Sequence, residues 1–464
     1  MEQSTIESTP ADAATTFTPC ASLAALGCHL QQLQLFEPIR TQLQIAQKTV
    51  LHSPVDKLFD AFITLLAGAH GLVEVNTRLR CDLALQQAFG RTSCADQSTI
   101  QETLNACTDQ NVTELTNALT TIYRAHSQGY RHDYPAHYQL LDVDLSGMPC
   151  GKKAALATKG YFPNQRNRRG RQLGRVLASR YAEVVSDLLF EGSKSLVKAL
   201  QPLVEAAEQV LELDADKRAR TIVRLDSGGG SIDDINWLLK RGYQVHTKDY
   251  SRARARKLGK SVTEWIDDPQ IIGRQVGWVT TPTDEYEREL QRIAVRWRTK
   301  NDQWEYALVL SSLSTDEVLA ETGQDAAQVH SQQAVTLAYV RFYDARGGGC
   351  ETSFKDDKGG LGMTKRSKKR FAAQQMVTLL GTLAHNVVMW ARAWLAVEEP
   401  KLQRYGIKRL VRDVFHISGF LLRDAHGRVV AIVLNQLAPL VCGLTRSLAL
   451  LLQPARVVVS WGQT

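Results

Sequence analysis

The sequence lacks the spacings that metal-bound or disulfide-stapled domains require. Its 8 cysteines, at positions 20, 28, 81, 94, 107, 150, 350 and 442, form no Cys-x-x-Cys pair and no tight Cys/His cluster. That argues against a structural zinc site and a disulfide framework, and it fits a reducing cytosol. His385, His416 and His426 also lack metal-ligand spacing and read as structural or exposed. Long apolar runs are missing too. The most apolar late segment, Val429 to Leu452, is interrupted by Asn435, Pro439 and Arg446, too often for a bilayer span. Met1 to Pro19 has neither a basic start nor an apolar core, which excludes a secretory signal. No internal repeat is visible. The expectation is a soluble cytoplasmic, nucleoid-associated protein with no membrane partner.

What is present is an ordinary globular balance, 44% apolar and 22% charged, over 464 residues. That length calls for two or three domains. A formal charge of +8 and a pI near 9.0 favour a polyanionic partner.

Residues 1–20 are Thr/Ser/Ala-rich and read as a disordered tail. Residues 21–135 read as a helical domain. Leu58, Phe59, Phe62, Leu65 and Leu66 make one stripe, and Ser98-x-x-Gln101 or Thr99-x-x-Glu102 is a reciprocal helix cap. Helix, short turn and capped helix are compatible with DNA binding.

At Tyr138 the period changes. Tyr138 to Ser146 reads as a buried strand carrying Asp142 and Asp144, and a Gly147/Pro149/Gly151 turn follows. Leu173 to Phe190 suits two antiparallel strands, and Leu196 to Leu211 carries a helical stripe. Thr221 to Asp226 is a strand ending on a carboxylate, Gly228 to Gly230 leads into a helix, and Tyr243 to Thr247 returns as a strand. This order, over 136–247, is that of a ribonuclease-H-like α/β domain, whose sites lie at strand ends. Residues 248–335 read as a mostly β insertion containing Trp278, Trp297 and Trp304, which could stack on an unpaired base or form a small core. Residues 336–400 read as the completion of that α/β domain, and 401–464 as a hairpin and tail.

Basic runs at Arg166–Arg171, Arg252–Lys257 and Lys365–Arg370 each follow a candidate acidic residue. Such runs are commonly solvated faces, but they are also what phosphate contacts need. The stretch Tyr343 to Lys358 then gathers Tyr343, Arg346, Glu351 and Lys358 where a glycine-rich loop turns into a helix. On that helix Glu351, Phe354, Lys355 and Lys358 share a side.

This stretch resembles the Tyr-x-x-Arg-x-x-x-Glu-x-x-x-x-x-x-Lys signature of DDE transposases in the insertion-sequence-four superfamily. Four residues lie between Arg346 and Glu351 where the family has three, which puts the extra residue in the glycine loop. Asp144, followed by Leu145-Ser146, and Asp226, in Arg224-Leu225-Asp226-Ser227-Gly228, are similar to the family's first and second motifs. Asp142 competes with Asp144, since alternate strand residues face one side. The resemblance implies that Asp144, Asp226 and Glu351 are the catalytic carboxylates and hold Mg²⁺ or Mn²⁺. It also implies that Arg346 and Lys358 hold phosphates while Tyr343 positions the strand. The implied activity is metal-dependent hydrolysis at inverted-repeat ends, then attack of the 3′-hydroxyls on double-stranded target DNA, by a homodimer. The rivals are a transposase-derived, non-catalytic DNA-binding protein and a nuclease that cuts without joining.

Overall fold

The computed structural model describes residues 14–48, 51–163, 165–325, 329, 331–365 and 367–463. It is a mixed α/β chain that divides into two compact units. One comprises residues 128–149 and 156–354; the other comprises 1–127, 150–155 and 355–464.

The unit of residues 128–149 and 156–354 is organised on strand β1 (Gln139–Pro149), buried on both faces from Gln139 to Val143 as a central strand must be. Strands β2 (Thr158–Lys159), β3 (Arg169–Ala178) and β4 (Glu183–Glu191) follow. Next come helix α1 (Leu196–Leu211), strand β5 (Thr221–Leu225), helix α2 (Ile232–Lys240) and strand β6 (Gln244–Lys248). β3 pairs antiparallel with β1 and with β4, while β5 runs parallel to β1 and β6 parallel to β5. The resulting order is β4-β3-β1-β5-β6. α1 buries Leu200, Leu203, Val204 and Ala207 along one stripe and packs on β3 and β4. α2 starts where the Ser231 hydroxyl accepts the Asp234 amide. β1 does not stop at the Gly147 turn expected from the sequence. It runs on to Pro149 along β3, although its pairing with β5 ends at Val143.

The segment 248–335 is not a separate β insertion. Helix α3 (Arg252–Ser261) comes first, followed by strands β7 (Ile266–Asp267), β8 (Arg274–Trp278), β9 (Gln291–Arg298) and β10 (Trp304–Ser311). β10 pairs antiparallel with β6, so these strands extend the same sheet to ten. The basic run at its start is helical because Ser251 caps it and Ala255, Leu258 and Gly259 bury one side. Helices α4 (Thr315–Glu321) and α5 (Gln332–Asp344) follow, and α5 buries Val335, Ala338, Tyr339 and Phe342 in a core shared with Ile293 and Val309. A 3₁₀ turn at Ala345–Gly348 leads to helix α6 (Cys350–Gly360), and the unit's boundary falls within α6, after Phe354.

In the other unit, the expected disordered tail needs correction. Its first 13 residues lie outside the described ones, but Ala14–Thr18 is a strand paired antiparallel with Gly419–Arg423. Its Thr-rich run suits a strand, and the Thr18 hydroxyl donates to Asp82 at 2.6 Å. Val429–Asn435 and Val458–Gly462 complete that four-stranded sheet. The helices of 21–135 do not pack alone. Pro54–Leu66, Gln97–Ala106 and Asp109–His126 all pack on the long helix Phe371–Leu395. Asp96, rather than Ser98 or Thr99, caps the helix at Gln97, accepting the Ser98 amide at 2.8 Å. Among the described residues no helix is long and apolar enough to cross a membrane.

Candidate active site

Val143 pairs with Leu225, so the next residues, Asp144 within β1 and Asp226 just past β5, sit side by side where the parallel pairing ends. Asp144 is largely buried. Burial, and after it the Asp226 charge, push its carboxyl up to about 6, against the opposing pull of Arg346 and the Leu145 amide. Asp226 accepts the Gly228 amide at 2.7 Å, which folds the turn into α2. Asp142, two residues before Asp144 on β1, is already occupied. Arg224, its partner on β5, donates Nε to Oδ1 at 2.6 Å and Nη2 to Oδ2 at 3.0 Å.

The α5–α6 joint supplies the remaining expected residues. Arg346 Nη2 lies 3.1 Å from Asp144 Oδ2 and donates to the Val143 carbonyl at 3.3 Å. Its Nε is buried without a partner among the described residues. Tyr343 is buried beside the same groups, and burial raises its phenol. Cys350, fully buried, donates its thiol to the Asp142 carbonyl at 3.2 Å and fixes the start of α6. Ser353 accepts from Arg175 Nη1 at 3.0 Å, and Arg175 is itself held by Asp187 at 2.8 and 2.9 Å. Glu351 stands exposed on the first turn of α6, with no hydrogen bond or ion pair among the described residues. Lys358 follows two turns along α6, half-buried. Among the described residues, no three acidic, histidine or cysteine side chains are close enough to share a metal ion. Asp144 and Asp226 come together, and Glu351 does not join them.

Lys248 went unnoticed in the sequence. It ends β6, the third parallel strand, and so obeys the strand-end rule that places Asp226. Its Nζ sits 4.7 Å from the Tyr343 ring centroid. Burial holds its ammonium below the ordinary lysine range, while Asp344 and Asp226 favour the charge.

The tryptophans are committed to structure. Trp278 meets Tyr339 edge-on at 5.5 Å, Trp297 packs against the α5 core, and Trp304 lies under Arg296 and Arg298 at 4.3 and 4.0 Å. Of the basic runs, Arg171 is buried while Arg166 and Arg168 are exposed. Arg366 lies outside the described residues.

The sequence matches no family model and no curated protein. Among solved structures it is similar to a chain in a cryo-EM structure of a piggyBac transposase synaptic complex with hairpin DNA. That similarity has a TM-score of 0.42 at 11% identity, over 87% of this chain and 82% of that one.

Proposed function

We propose that this chain is a DDE transposase of the insertion-sequence-four type, cleaving transposon ends and joining their 3′-hydroxyls to target DNA. The placement of Asp144 and Asp226 just beyond Val143 and Leu225, the last paired residues of two parallel neighbours, with Arg346 on Asp144, carries the reading. The order β4-β3-β1-β5-β6 supports a ribonuclease-H-like catalytic domain. The donor chemistry suits a hard divalent cation, Mg²⁺ or Mn²⁺. Two adjacent carboxylates, one of them pushed up by burial and by the other's charge, gain from a positive charge between them. Asp144 and Asp226 would hold the cation, and Glu351, which stands apart from them on the first turn of α6, would have to swing toward the pair to complete the set. A bound cation of this kind supplies charge stabilisation to the attacking and leaving oxygens of an in-line displacement. Arg346 neutralises Asp144 and brings a guanidinium to the place where a phosphate must lie. Tyr343 and Lys248 wall the same spot.

The test is a cleavage assay on the DNA flanking the gene, with Mg²⁺, comparing wild type with Glu351→Gln. End cleavage by wild type alone supports the assignment. Tight end binding without cleavage by either protein replaces it with a non-catalytic DNA-binding protein. The proposal includes a homodimer on paired ends, and a monomeric end complex by light scattering removes that part.

A further inference from the structure

Beside the acidic pair lies a cleft of about 900 Å³ between α3 and the β9–β10 turn. Ser227, next to Asp226, and Lys248 line its inner end. Outward from these, α3 presents Arg252, Arg256 and Lys260 to the cleft. Residues four apart on a helix share a face and rise about 6 Å from one to the next. All three are exposed, and none has a hydrogen bond or ion pair among the described residues. The neighbouring Arg254 is spent elsewhere, donating Nη2 to Asp249 Oδ1 at 2.8 Å. That bond also neutralises one acidic group of the lining. Asp302, a second, is met by Arg298 at 3.2 Å. Glu305 is the remaining acid, so Lys248, Arg252, Arg256 and Lys260 leave the cleft cationic.

We propose that this cleft binds one strand of nucleic acid by its phosphates, running from Lys248 outward along Arg252, Arg256 and Lys260. A single row of cations follows a single backbone. The volume is equivalent to a box about 10 Å on a side, too small to enclose a duplex whose major groove alone is about 12 Å wide. Recognition is by phosphate rather than by base, because both lining tryptophans are engaged, Trp304 under Arg296 and Arg298 and Trp297 against the α5 core. The cleft rests on the transposase reading only for the identity of the strand as DNA leaving the cleavage site.

The experiment is fluorescence anisotropy of the full chain with a short labelled DNA, single-stranded and as duplex, across a salt series without divalent cation. Arg252→Gln/Arg256→Gln/Lys260→Gln is expected to weaken single-strand binding about tenfold and to lower the log–log salt slope by about 2, at about 0.7 per phosphate contact. The charge-conserving Arg252→Lys/Arg256→Lys should keep the wild-type slope, which separates lost charge from lost fold. Equal losses for single strand and duplex overturn the strand selectivity. An unchanged slope in the triple variant, with end cleavage by wild type intact, overturns the cleft alone. Wild type that binds neither DNA form overturns the cleft and the transposase reading together.

Discussion

Arg224 grips Asp142 through two parallel hydrogen bonds across adjacent strands, with Asp142 fully out of solvent and Arg224 nearly so. Arg224 also donates to the Phe342 carbonyl at 3.2 Å, so the pair ties β1 and β5 to the end of α5. Both oxygens of Asp142 are therefore used inside the sheet, which assigns it to the framework, whereas Asp144, held by the Arg346 guanidinium and the Leu145 amide, is the carboxylate of β1 that feels the Asp226 charge. Asp142→Ala should cost about 3–5 kcal/mol, because it strands a buried guanidinium. Replacing both partners, Asp142→Leu with Arg224→Met, should recover most of that loss. Urea denaturation checks both, and a stable single variant would show that the pair holds nothing together.

The sequence located some of this architecture for clear physical reasons. The Leu196–Leu211 stripe has a helical period that solvent and core impose locally, and glycines after Asp226 mark a turn whatever surrounds it. The choice between Asp142 and Asp144 was not local. Alternation puts both on one face, and only the register that sets Arg224 opposite Asp142 separates them. The sheet extension was hidden for the same reason, since nothing in Trp304–Ser311 says that it pairs with β6 rather than closing its own small sheet. Ala14–Thr18 is too short to declare itself without its partner Gly419–Arg423. Lys248 belongs to no motif, and only the register of β6 beside β5 brings it to the site.

The glycine loop before Glu351 gives a second prediction. A Cβ on Gly349 would fall 2.0 Å from Asp142 Oδ2, whereas Gly347 and Gly348 face open space. Gly349→Ala should therefore cost about 1–3 kcal/mol through overpacking against a carboxylate that Arg224 holds in place. Gly347→Ala and Gly348→Ala should stay within about 0.5 kcal/mol of wild type. Thermal melts of the three variants test this, and equal effects would mean that the loop does not approach β1 at Gly349.

Trp278 and Trp304 should respond differently to truncation. Trp278 packs on Tyr339 and the α5 core, so Trp278→Ala should cost about 3 kcal/mol. Trp304→Ala removes two arginine contacts on the sheet surface, each worth about 0.5–1 kcal/mol at an exposed site. Denaturation midpoints rank the two, and a larger loss at Trp304 would reverse their assignment to core and surface.

The carboxyl of Asp144 sets a pH dependence whose sign follows from its environment. Burial is the larger cause and the Asp226 charge adds to it, so the carboxyl titrates near 6 in the folded chain. In an unfolded chain an aspartate titrates near 3.9. Between these values the folded state holds a proton that the unfolded state has released. The stability contributed by Asp144 is thus fully present below about pH 4 and is lost as pH rises through about 6. The gap corresponds to about 3 kcal/mol. Asp144→Asn has no proton to lose, so the stability of wild type relative to this variant should fall by about that amount from pH 4 to pH 7, without divalent cation. Mg²⁺ bound to the ionised carboxylate should lower the midpoint of that loss, because the cation favours the deprotonated form. Urea denaturation of both proteins across this range reads the difference directly. A flat difference would mean that Asp144 is hydrated and feels little of Asp226, and the carboxylate pair would then lose its claim to a shared cation.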